Sequence, residues 1–233
     1  MSLCPAEDLF LTASQDKTVR LWSIQQAGCV GKLDLPAAQT QGSPYVAFDS
    51  TGMVFAVMAE LANTSSSAAA GGYYVHLYDA RNFSGGAFSE MQVTNQSLQD
   101  AIVTHRISPT APPTPPKLSS IKFNASGNRM LVESRDDNIA YVLDGYEGTV
   151  QRVFVSSQGN GNATCACFTP DDQSLLLGSD AGIVECFNLQ SGQKVKQLDD
   201  GGHGGRAVTS VACNPKYKQI ASSGASDTCL WIW

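Results

Sequence analysis

The chain has 233 residues, with 15 Lys and Arg against 21 Asp and Glu, a formal net charge of −6. That length suits one all-β domain with a real core, and the acidic balance without a Lys/Arg cluster argues against a nucleic-acid or anionic-membrane surface. There is no run of about 18 apolar residues to span a membrane. The N-terminus, Met-Ser-Leu-Cys-Pro-Ala-Glu-Asp, lacks the basic start and apolar core of a signal peptide. Seven cysteines, an odd number with no C-x-x-C pair, read as free thiols in a reducing compartment.

In chain order, the first informative stretch is Ser14-Gln-Asp16-Lys-Thr-Val-Arg-Leu-Trp22. It reads as a strand end, a tight turn around Asp16 and an alternating strand that closes on tryptophan. This run resembles the hairpin of a WD-repeat β-propeller blade. The resemblance implies that a turn Asp, a Ser on the preceding strand, the strand-end Trp and an upstream His bond together. Asp16, Ser14 and Trp22 fit three of those places, and the His position falls before Met1.

Repetition follows. Strands ending in Leu3, Phe48, Phe123, Phe168 and Cys213 each precede a turn, in steps of 45, 75, 45 and 45 residues. A period of about 40–45 residues is that of propeller blades, so the long step is one period with insertions. Third strands of each unit close on Trp22, Tyr78, Leu143, Phe187 and Trp233, with Trp231 as a competing register. Asp137 precedes Leu143 by six residues and Asp227 precedes Trp233 by six, as Asp16 precedes Trp22. The unit ending at Phe187 is looser, with Asp180 seven residues before it. His203, in a Gly-Gly-His-Gly-Gly run, lies where the bonding His of the last unit belongs. Fourth strands are expected at Val30–Leu35, Phe88–Val93, Val150–Val155 and Val195–Leu198. No segment shows convincing helical periodicity.

Two inserts break the rhythm. Residues 62–72 form a Ser/Ala/Gly-rich low-complexity loop, and residues 94–117 carry five prolines that bar a central strand, so they read as an extended linker outside the sheets. The expectation is therefore an all-β WD-repeat propeller of five blade units, a single domain over residues 1–233, whose last blade lacks its fourth strand.

Longer segments narrow the likeness. Asp16–Trp22, Ala47–Ala56, Leu77–Phe88, Ile121–Asn124, Asp144–Val150, Cys167–Asp171 and Asn214–Lys216 resemble, in order, the WD repeat-containing protein 82 family, which includes the yeast WD subunit of the COMPASS complex. Members have seven blades, so the resemblance implies that about two N-terminal blades are absent here. It further implies a non-catalytic nuclear adaptor. Such an adaptor would recruit a COMPASS-type histone H3 lysine-4 methyltransferase, or a protein phosphatase 1 complex, to the tail of transcribing RNA polymerase II. Other WD-repeat scaffolds stay open, among them an mRNA 3′-end processing subunit and a ubiquitin-ligase substrate receptor.

Nothing points to catalysis. The three histidines, His76, His105 and His203, fall in a strand, a linker and the blade-locking position, and there is no phosphate loop, H-E-x-x-H or G-x-S-x-G. Cys165 and Cys167 share one side of a strand, but without further ligands they read as core thiols rather than a metal site. No cofactor is expected. The candidate partner-binding rim is Arg81, Phe83 and Phe88, against the alternative that both phenylalanines pack between blades. Arg20, Arg129, Arg135 and Arg152 would form an anion site only if the fold gathers them.

Overall fold

The computed structural model describes residues 1–62, 71–105, 107, 114–134, 139–156, 165–199 and 201–232. They form five antiparallel sheets in chain order. The first holds β1 (Ser2–Leu3), β2 (Leu9–Ala13), β3 (Thr18–Ser23) and β4 (Gly28–Asp34). The second holds β5 (Thr40–Phe48), β6 (Val54–Leu61), β7 (Gly72–Asp79) and β8 (Ser89–Thr94). After helix α1 (Asn95–Thr104), the third comprises β9 (Leu118–Phe123), β10 (Arg129–Ser134), β11 (Ile139–Asp144) and β12 (Val150–Val155). The fourth comprises β13 (Cys165–Phe168), β14 (Ser174–Gly178), β15 (Val184–Asn188) and β16 (Lys194–Leu198). The fifth has three strands, β17 (Ser210–Cys213), β18 (Gln219–Ser223) and β19 (Thr228–Ile232). Each sheet is a meander in which sequence neighbours pair. All five first strands end on the residues that set the 45-residue rhythm: Leu3, Phe48, Phe123, Phe168 and Cys213.

Sheets pack face to face through four apolar seams. Leu11 and Leu21 meet Phe55 and Val57 between the first and second sheets. Met58 and Val75 meet Met130 and Tyr141 between the second and third. Leu131 and Val142 meet Leu175 and Phe187 between the third and fourth. Cys165 and Leu176 meet Val211 and Ile220 between the fourth and fifth. Among the described residues no buried cluster joins the fifth sheet to the first. Second strands show the consequence. Phe55–Ala59 of β6, Met130–Val132 of β10 and Leu175–Leu177 of β14 are sealed on both faces, whereas β2 and β18 are sealed on one. A strand covered on both sides needs a continuous apolar run; one covered on a single side alternates. On the uncovered side of the fifth sheet Leu230 and Ile232 are 80% and 87% exposed.

The turns are fixed by side-chain oxygens at the ends of third strands. Ser23, Asp79, Asp144 and Asn188 follow Trp22, Tyr78, Leu143 and Phe187, and each accepts from backbone N–H groups two or three residues on. Asp144 accepts from Tyr146 and Glu147, which holds its carboxyl below the ordinary 3.8. The Thr169 hydroxyl does the same for Asp171, and the Thr18 hydroxyl for Asp16.

Three sequence expectations need correction. The 94–117 segment is not simply an extended linker, because Asn95–Thr104 is helical. Thr94 caps it, accepting from the Ser97 N–H at 3.0 Å, and Leu98, Ala101 and Ile102 sink into the seam between the second and third sheets. Three apolar residues at i, i+3 and i+4 suffice for one buried stripe, too short a pattern to stand out before the proline run. The first insert also ends earlier, since Gly72 opens β7. A Cβ there would lie 2.8 Å from the Thr94 Cα, so only glycine lets β7 and β8 approach. Residues 63–70 lie outside the described residues. Finally, the last repeat closes on Trp231 rather than Trp233. Trp231 pairs with Ile220 as Trp22 pairs with Phe10 and Phe187 with Leu175, and its indole N–H reaches Ser222; Trp233 lies outside the described residues.

Two outcomes are expected. Carboxyls depressed in the fold contribute stability above their unfolded pKa and lose it as pH falls through the folded value. Burial also holds the His76 and His105 imidazoles below their ordinary 6.5, so urea midpoints should decline as pH falls below about 6.5 and drop again below about pH 4, with the second drop shallower in Asp144→Asn. Leu230→Lys combined with Ile232→Lys should suppress concentration-dependent light scattering, because an apolar sheet edge templates association. Its thermal midpoint should stay close to that of the parent.

Candidate functional surface

The turns joining first to second and third to fourth strands lie at one end of the sheets, and hydrogen bonds link them from sheet to sheet. The Ser50 hydroxyl donates to the Ala125 carbonyl at 2.6 Å. Asp172 then takes the N–H groups of Ala125 and Ser126, both at 2.9 Å. On this tied rim, the second sheet carries a depression of about 480 Å³ lined by Met53, Asp79, Arg81, Gly86 and Phe88. Its floor is pinned: the Arg81 N–H bonds Asp79 at 2.9 Å, and the Phe88 N–H bonds the Leu77 carbonyl at 2.9 Å. Gly86 sits at φ 95°, which lets the chain return to β8.

Of the three rim candidates, the structure brings Arg81 and Phe88 to this depression, with Phe88 61% exposed. Phe83 goes elsewhere. Its ring stands edge-on to Phe55, 6.1 Å between centroids, and fills the space above Gly31 of β4, so it belongs to the seam between the first two sheets. A Cβ at Gly31 would overlap that ring. Met53, which sequence reasoning missed, is an exposed member of the same surface. Its signal was its place in a glycine turn, where an apolar side chain finds no core.

A buried polar set closes the last sheet. His203 Nε2 lies 2.7 Å from Ser222 Oγ, and its Nδ1 lies 2.5 Å from Asp227 Oδ1. Ser222 Oγ also accepts from Trp231 Nε1 at 2.7 Å. Four residues from the approach loop and all of the β18–β19 hairpin thus share one chain of bonds, with His203 only 1% exposed. His203 is fully engaged in this lock, which leaves it no role as a ligand or base at a surface.

The WD domain, G-beta repeat family matches residues 1–23 and 192–233, which contain the first hairpin and this bonded set. WD repeat-containing protein 82 of Drosophila melanogaster is 31% identical, the alignment covering 100% of this chain and 62% of that protein. The fold is that of a WD-repeat β-propeller. Protein ANTHESIS POMOTING FACTOR 1 of Arabidopsis thaliana is 29% identical over 100% of this chain and 59% of its own length. Set1 complex component swd2 of Schizosaccharomyces pombe is 28% identical over 77% of this chain and 43% of its own. The WD-repeat chain thus spans about three-fifths of the length of the relatives that it matches throughout. A chain in the crystal structure of the mitotic checkpoint complex superposes with a TM-score of 0.62 at 12% identity, covering 97% of this chain and 58% of that one. That likeness concerns the fold alone.

The other WD-type positions are filled unevenly in this propeller. In the first blade Trp22 Nε1 donates to Thr12 Oγ1 at 2.8 Å, not to Ser14. The register explains it: Phe10 pairs with Trp22 and Thr12 with Arg20, so Thr12 stands one pleat from the indole on the same face. Ser14 and Asp16 belong to the turn instead, where Asp16 Oδ1 takes the Thr18 hydroxyl at 2.7 Å and its N–H at 3.0 Å. Asp137 and Arg135 lie outside the described residues. The remaining arginines do not converge. Arg20 pairs with Asp16 on the first sheet, Arg129 donates to Gln151 on the third, and Arg152 reaches the Gln190 carbonyl of the fourth. Cys165 donates to the Val208 carbonyl at 3.2 Å, and burial pushes its pKa up to about 12. Among the described residues no group of His, Cys, Asp and Glu is arranged to hold a metal.

Ser222→Ala strands both the His203 and Trp231 ring nitrogens and should cost about 1–3 kcal/mol. Chemical denaturation measures this directly, and Ser222→Thr should recover most of the loss.

Proposed function

We propose that this WD-repeat protein is a non-catalytic adaptor of a nuclear chromatin complex. In this reading it recruits a COMPASS-type histone H3 lysine-4 methyltransferase, or a protein phosphatase 1 complex, to transcribing RNA polymerase II. The observation that carries the adaptor reading is the depression at Arg81 and Phe88. It puts a solvent-facing aromatic ring, an arginine and a methionine on a rim already rigid before binding, and aromatic and arginine side chains dominate interface energies. A preformed rim also spares the ordering cost that a flexible loop would incur on binding. Similarity to WD repeat-containing protein 82 and to a Set1 complex component supports the choice of complex. The scattered arginines do not supply a phosphopeptide cluster, so contact with polymerase would run through other subunits or other parts of the protein.

Affinity purification from the protein's own cells tests the reading. Recovery of a SET-type methyltransferase, or of phosphatase 1 with its nuclear targeting subunit, is expected. A cullin ligase or a vesicle-coat set with neither of these would sink it. Phe88→Ala combined with Arg81→Ala should reduce that recovery about tenfold or more, a loss of about 1.4 kcal/mol, while the thermal midpoint holds.

A further inference from the structure

Cys167 ends one residue short of the close of β13, and Cys213 closes β17, the corresponding first strand of the next blade. Their sulfurs face one another across the seam between the fourth and fifth sheets, 3.7 Å apart with no disulfide between them. The pair is half-buried and reachable from solvent. A cavity of about 390 Å³ opens onto both sulfurs between Phe123, Phe168 and Val211. A second, beside Asp171 and Tyr217, reaches Cys213. We propose that Cys167 and Cys213 form a peroxide-oxidisable dithiol, a modification site whose disulfide ties the last two blades together.

The two thiols have unequal parts. The two sulfurs share an S–H hydrogen bond, which lowers the pKa of Cys213 against the opposing effects of burial and Asp171, and raises that of Cys167. Lys122 also faces Cys167 and favours its thiolate, while neighbouring Cys165 opposes it. Cys213 is therefore the attacking sulfur, since the thiolate is the nucleophile. It attacks one oxygen of hydrogen peroxide; the O–O bond breaks and hydroxide leaves, taking up a proton as water. The product is the Cys213 sulfenic acid. Cys167 then loses its proton and attacks the Cys213 sulfur, the S–OH bond breaks, and the hydroxide departs with that proton as a second water. Two thiols and one peroxide give one disulfide and two waters, the thiols supplying the two electrons. A dithiol reductant reverses the step by exchange, as suits a compartment where disulfides are transient. The chemistry does not depend on the adaptor role.

The new bond would join residues 46 apart in sequence across a seam held by apolar packing and the Cys165–Val208 hydrogen bond. Closing such a loop stabilises a fold chiefly by restricting the unfolded chain.

The test exposes the reduced 233-residue chain to hydrogen peroxide, blocks the remaining thiols and maps the peptides by mass spectrometry. The expected result is a linked Cys167–Cys213 peptide pair, lost on treatment with dithiothreitol, with a thermal midpoint raised by about 5 °C or more. Cys167→Ser should instead leave a sulfenic acid at Cys213 that dimedone traps, with no rise in midpoint. Exposed Cys29 serves as the internal reference in the parent chain, so the comparison stands even if a serine variant misfolds. Oxidation of Cys29 about tenfold faster than the pair, pairing of Cys213 with another cysteine, or persistence of both thiols would overturn the proposal.

Discussion

A four-stranded blade cannot bury both of its faces alone, and everything else in this propeller follows from how its neighbours do it. The second, third and fourth sheets are each covered on two sides, so their second strands carry Phe55–Ala59, Met130–Val132 and Leu175–Leu177 with no access to water. Among the described residues the first and fifth sheets are covered on one side, and in their second strands only Leu11 of β2 and Ile220 and Ser222 of β18 are buried. Stability is then a sum of nearest-neighbour seams, greatest in the middle of the row.

Polar groups supplement the seams where backbone meets backbone. Glu133, 5% exposed, reaches from β10 to accept the Ala166 N–H of β13 at 2.6 Å, and is also bonded by Ser120 and Lys122. Lys122 continues to the Ala166 carbonyl at 2.6 Å. A buried carboxylate satisfied on every side adds register more than stability, because its desolvation offsets much of its attraction. The fifth sheet, one-sided and three-stranded, uses the Asp227–His203–Ser222–Trp231 chain instead. The rim turn that presents Arg81 and Phe88 is held separately, by Asp79 and by the Leu77 carbonyl.

Much of this was legible in the sequence, for a physical reason. Repetition at 45 residues and the residues closing each strand are local patterns, and they located all five first strands. Thr12 shows where legibility stopped. The hydroxyl that meets Trp22 is set by strand register, so it stands two residues before the one suggested by motif spacing. Phe83 and Phe88 were indistinguishable as letters; only the space above Gly31 decides that one ring is core and the other faces water. Helix α1 hid because its buried stripe is three residues long and abuts prolines. The facing of Cys167 and Cys213 was equally invisible, since it depends on how the first strands of two neighbouring blades lie against each other in space.

Native-state hydrogen exchange, read strand by strand, tests the seam account most directly. The account predicts a gradient, with β6, β10 and β14 exchanging only by global opening while β2 and β18 exchange through cheaper, local opening of the outer sheets. Equal protection of β2, β10 and β18 would contradict it, for that would mean the outer blades are covered as fully as the middle one.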